Sequence, residues 1–111
     1  MAEAIAGYLD GQRHYVVTRR PSPGSIWTYQ IYKSRIEDYA RRGDFCVVVV
    51  GDSLTPSQRL FAVPIAYLRE RVFPRADMDD RHRYTFGVHK VTCEFTWRHG
   101  IHMDGRRFLV R

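Results

Sequence analysis

The longest unbroken apolar run in the chain is Phe45-Cys46-Val47-Val48-Val49-Val50. A strand with one wet face alternates, so a run that does not alternate has both faces covered, and 45–50 reads as the central strand of a sheet. Upstream, "HYVVTRR" (14–20) and "SIWTYQIYK" (25–33) are β-branched and aromatic and flank the turn-forming "PSPG" (21–24). Together they predict an antiparallel hairpin. Ser34 and Glu37, three apart, form a capping box ahead of the one-sided stripe Ile36, Tyr39 and Ala40, and Gly43 supplies a left-handed stop.

Beyond a surface loop over 51–58, "RLFAVPI" (59–65) predicts another strand, with Pro64 tolerable only at its end. A helix follows to residue 73, with Ile65, Leu68 and Val72 inward and Pro74 as its stop. Residues 74–83 are a charged loop. In 84–97 the apolar residues Tyr84, Phe86 and Val88 give way to Val91, Cys93, Phe95 and Trp97. The parity flips at His89-Lys90, which places a bulge or a turn there. Asp104-Gly105 signals a hairpin that pairs the Trp97 region with "RRFLVR". A short helix over 2–9, ended by Asp10-Gly11, completes the set. The order of elements describes a single α+β domain over 1–111: a mixed, curved sheet, two helices and a β-rich C-terminal hairpin.

At 111 residues, 44% hydrophobic and 14% aromatic, the chain has the size and composition of one folded globule. No apolar run approaches the roughly 20 residues of a membrane span, and the start does not resemble a secretory leader, so a cytoplasmic location is expected. Cys46 and Cys93 sit in apolar strands and read as small buried hydrophobes.

Charge changes the picture. The formal net charge is +6, and sixteen of the eighteen basic residues are arginine. Arginine forks match phosphates and guanine edges and stack on bases, which points to nucleic acid, DNA ahead of RNA. A genome rich in G and C would inflate arginine without any such partner.

A hairpin whose second strand ends in Lys33, then a helix, an apolar strand and a strand ending in Pro64, resembles the restriction-endonuclease-like fold with its PD-(D/E)XK motif. The resemblance covers roughly residues 14–73 and rests on element order. It implies a divalent metal held by an acid on the first hairpin strand and by a Glu or Gln two residues before the lysine. Here that position is Ile31, because side chains two apart share a strand face, and Gln30 points the other way. The strand over 14–20 has no Asp or Glu. The resemblance therefore implies a degenerate relative without catalytic acids, unless a bulge brings Gln30 into line with Lys33.

Other chemistry is sparse. His99, His102 and Asp104 lie close in sequence but lack the paired spacing of a zinc site, and "GDSLTPS" lacks the lysine and glycines of a phosphate loop. No catalytic residue, metal or cofactor is assigned. What remains is a basic, aromatic surface. Arg19 and Arg20, with Arg41 and Arg42, gather near one end of the hairpin and the first helix. Arg81, Arg83, Arg98, Arg106 and Arg107 gather around the charged loop and the C-terminal hairpin. Tyr32, beside Lys33 and on the non-core face by parity, and Trp97 offer rings for stacking. The expected function is a small, non-catalytic nucleic-acid-binding module and, by analogy, the recognition part of a restriction or defence system. Two alternatives stand beside it: an interaction module for an acidic protein partner, and a metal-dependent nuclease with an unorthodox site.

Overall fold

A computed structural model of the chain describes residues 13–18, 24–51 and 59–110. The seven strands are β1 (His14–Val17), β2 (Ile26–Tyr32), β3 (Cys46–Gly51), β4 (Arg59–Pro64), β5 (Arg83–His89), β6 (Glu94–Trp97) and β7 (Ile101–Asp104). Helix α1 is Lys33–Ala40. Helix α2 opens with Ile65–Tyr67 and continues as a π-helical turn over Leu68–Val72. The expected α+β unit is formed, with its strands in two sheets, ordered β1-β3-β4 and β2-β5-β6-β7.

β3 is the interior strand of the first sheet, and every residue from Cys46 to Gly51 is buried, as its unbroken apolar run predicts. Its inner face, with Tyr15, Val17, Val47, Val49, Phe61 and Val63, belongs to one core with Trp27, Tyr29, Ile31, Phe86, Val88, Phe95 and Trp97 of the second sheet. Its other face carries Val48, Val50 and Leu60. The two sheets meet through the edge-on rings of Phe61 and Phe95 and through the Tyr29 hydroxyl, which donates to the Val50 carbonyl at 2.9 Å.

The predicted hairpin of the first two strands is not formed. β1 runs parallel to β3, and β2 pairs antiparallel with β5 along all seven residues, from Ile26 opposite His89 to Tyr32 opposite Arg83. A seven-residue partner matches the ladder of β2 in full, whereas β1 has only four residues to offer. The hairpin within the element order of the restriction-endonuclease-like fold is thus absent from the described residues.

Helix α1 starts two residues earlier than its capping box predicts. Tyr32 is the N-cap and makes no side-chain cap bond. The first amide, of Lys33, donates instead to the His82 carbonyl at 3.1 Å. At the other end Gly43 is left-handed (φ 110°), and the Arg13 guanidinium donates to the carbonyls of Tyr39 and Gly43.

The parity flip at His89-Lys90 is a turn. The His89 ring nitrogen Nδ1 accepts from the amides of Val91 and Thr92, joining β5 to β6. The last hairpin differs from expectation. Its turn is Arg98–Gly100, where His99 and Gly100 both have positive φ, so β6 pairs with β7 and Trp97 faces Ile101. Asp104-Gly105 serves another purpose. The Asp104 carboxylate accepts from the Arg106 amide to open a 3-10 turn, and a Cβ on Gly105 would collide with the Cys93 carbonyl and the Phe95 ring. The tail then crosses to the first sheet, where Leu109 bridges Phe61 and the Val110 amide donates to the Leu60 carbonyl. The predicted helix over 2–9, the turn residues 21–23 and the loop over 52–58 lie outside the described residues.

Candidate functional site

β2 alternates strictly, with Trp27, Tyr29 and Ile31 buried and Ile26, Thr28, Gln30 and Tyr32 exposed. This alternation settles where the Lys33 neighbourhood points. Ile31 is wholly buried (0% exposed), while Gln30 faces outward and accepts from the Arg83 guanidinium at 3.3 Å. Tyr32, 45% exposed, stands at the end of the strand opposite Arg83, whose guanidinium carbon lies 5.9 Å from the ring centroid, within cation–π range.

The loop before β5 is organised by Asp79. One carboxylate oxygen accepts from the Arg81 and Arg83 amides at 2.9 and 3.0 Å, and the other from Arg83 Nε at 2.8 Å. Partial desolvation raises the Asp79 pKa. The hydrogen bonds from Arg83 and the Arg81 amide outweigh it and hold the carboxyl below its ordinary value. Arg83 is correspondingly raised, first by its bond to Asp79. Between this loop and α1 runs a shallow groove lined by Tyr32, Lys33, Ser34, Glu37, Arg81 and His82.

This end of the second sheet gathers five of the residues singled out from sequence: Tyr32, Lys33, Arg81, Arg83 and Arg98. Its charge is partly paired. Lys33 pairs with Glu37 at 3.7 Å, Arg83 with Asp79, and His99 with Asp77 at 3.4 Å, while Arg98 donates to the Met78 carbonyl.

Arg106 and Arg107 sit elsewhere. Arg98 precedes β7 and the other two follow it, so a strand of four residues, roughly 13 Å, separates them, and one ribbon tip does not carry all three. There the Arg107 guanidinium lies 5.6 Å from the ring centroids of both Tyr67 and Phe108, which meet edge to face at 4.9 Å. Arg71 follows Tyr67 by one helical turn, on the flank that Leu68 and Val72 leave outward. Arg71, Arg106 and Arg107 are exposed, and among the described residues none lies within salt-bridge distance of a carboxylate. Tyr67 and Arg71 escape a sequence reading that tracks only the buried stripe of α2. The signal was present in the phase of that stripe.

The remaining candidates fall as follows. Trp97 is 3% exposed and stacks on Phe86 with centroids 4.3 Å apart, so it is a core residue and offers no face to a base. His102 faces Glu94 at 2.7 Å, and His99 turns toward Asp77. Among the described residues no three His, Cys, Asp or Glu side chains are grouped to hold a metal ion. Arg41 pairs with Asp38. Arg19 and Arg20 lie outside the described residues. No helix among them is long and apolar enough to cross a membrane. Comparison with protein-family models, curated proteins and solved structures returns no match for this chain.

Proposed function

We propose that the protein is a non-catalytic nucleic-acid-binding module whose phosphate contacts come from Arg71, Arg106 and Arg107. The observation that carries this reading is the Arg107 guanidinium over the Tyr67–Phe108 ring pair, with Arg106 next to it in the chain and Arg71 one helical turn after Tyr67, all exposed and, among the described residues, outside salt-bridge distance of a carboxylate. Arg83 and Arg41, by contrast, are paired with acids. Unpaired guanidiniums beside aromatic rings suit a polyanion whose bases can stack. DNA is the partner placed first.

The test is the salt dependence of affinity for DNA oligonucleotides. Each phosphate contact contributes about 0.9 to the log–log slope on duplex and about 0.7 on a single strand. The Arg71→Ala/Arg106→Ala/Arg107→Ala variant is therefore expected to lose roughly 2 to 3 units of slope while melting cooperatively. An unchanged slope would place the binding face elsewhere, and absence of binding by the parent at low salt would overturn the proposal.

A further inference from the structure

We propose that the groove beside Tyr32 receives an unpaired guanine, read by the Glu37 carboxylate. This inference rests on the nucleic-acid reading above and adds the state of the strand and the base it presents. Helix α2 joins the two places. Its first turn carries Tyr67, against Phe108, and its far end leads to Phe73, which stacks on Tyr84 with centroids 4.0 Å apart. Tyr84 is opposite Ile31, the neighbour of Tyr32. A strand bound along Arg107 and Arg71 is thereby directed to the Tyr32 end of the sheet.

The groove is open and has room for a flat ligand. Its volume, about 370 Å³, lies within the range of roughly 300–1,000 Å³ typical of small-molecule sites. Tyr32 supplies an exposed ring, and Arg83, which does not line the groove, sits over that ring. The walls are held in place: Lys33 donates its amide to His82, and Asp79 clamps the Arg81 and Arg83 amides. His82 is held in the left-handed region (φ 57°), which non-glycine residues adopt uncommonly and which persists where surroundings impose it.

Charge decides what enters. A phosphate would meet Glu37, so the groove is poorly suited to the backbone, whereas a neutral base with N–H donors is suited to it. Only one Glu37 oxygen is paired, with Lys33 Nζ at 3.7 Å in an exposed and therefore weak contact. A carboxylate accepts best from two parallel donors. The pairing edge of guanine offers two, its ring N–H and its 2-amino group. Adenine and cytosine offer one amino group there, and thymine one ring N–H. In a duplex that edge is occupied by the complementary base, so the groove reads guanine only in an unpaired strand.

The test compares, by fluorescence anisotropy, an oligothymidine strand carrying one central guanosine, the same strand with inosine there, and the guanosine strand annealed to its complement. The guanosine strand is expected to bind at least roughly fivefold tighter than the inosine strand, the lower end of discrimination by a bidentate contact. Glu37→Gln should erase that preference without altering the salt slope. Tyr32→Ala should weaken every single strand, and Tyr32→Phe, which keeps the ring, should bind single strands more tightly than Tyr32→Ala. Equal affinity for guanosine and inosine, or a preference that survives Glu37→Gln, would overturn the groove assignment and leave the arginine reading standing. Absence of binding to any strand at low salt would remove both.

Discussion

Tyr29 offers a sharp test of how the two sheets are joined. Its side chain is 2% exposed, its ring stacks on Phe86 at 5.1 Å, and its hydroxyl donates across the core to the Val50 carbonyl at 2.9 Å. Tyr29→Phe removes one oxygen and leaves the ring in place, so the change tests the polar contacts of the hydroxyl, the bond to Val50 among them. A typical buried bond contributes about 1 kcal/mol net, and a carbonyl left short of a partner adds to the loss. The expected destabilisation is about 1–2 kcal/mol. For a domain of this size, a drop in Tm of roughly 5 °C per kcal/mol follows. Urea unfolding should show a lower midpoint at constant slope, because the surface exposed on unfolding does not change. Tyr32→Phe is the control: the same atom removed from an exposed ring should shift stability by no more than about 0.5 kcal/mol. If Tyr29→Phe and Tyr32→Phe melt alike, the inter-sheet bond does not stabilise the fold, and the packing of the two sheets against each other is wrong at its centre.

Three further outcomes are expected. Val48, 1% exposed in the interior strand of the first sheet, should not tolerate Asp: an unpaired buried carboxylate costs several kcal/mol, on the scale of the whole stability, and a soluble, cooperatively melting Val48→Asp protein would contradict the assignment. Gly105→Ala should lower stability by about 1–3 kcal/mol, since its Cβ would meet the Cys93 carbonyl and lie 2.5 and 2.7 Å from Phe95 ring carbons; an unchanged Tm would show that the 3-10 turn shifts freely. Asp79 has a folded pKa below its ordinary value, so its contribution is full above the unfolded pKa of about 3.9 and is lost as pH falls through the folded one. The Tm difference between the parent and Asp79→Asn should therefore be constant at neutral pH and shrink below about pH 4; a difference independent of pH would show that the carboxylate charge is not what holds the loop.

Side-chain periodicity is a local property, and it was legible. The alternation of β2 fixes Ile31 inward and Tyr32 outward, and the unbroken run of β3 requires two covered faces; both follow from the two-residue repeat of a strand. The arginine excess and the stripe of α2 are equally plain in the chain. Pairing is not local, because backbone ladders look alike from every strand. Whether β2 joins β1 or β5 depends on ladder length and on which buried rings interlock, and only the packed core chose β5. Gly105 reads as a turn glycine beside Asp104, but the approach of Cys93 and Phe95 is what excludes a side chain there. The site followed the same division. The sequence alone determined that cations outnumber acids. Tertiary structure decided which cations are paired: it set Asp77 against His99, Asp79 against Arg83 and Glu37 against Lys33, while among the described residues Arg71, Arg106 and Arg107 have no carboxylate within salt-bridge distance, because spacing along the chain fixes only local neighbours and the approach of distant acids is set by the fold.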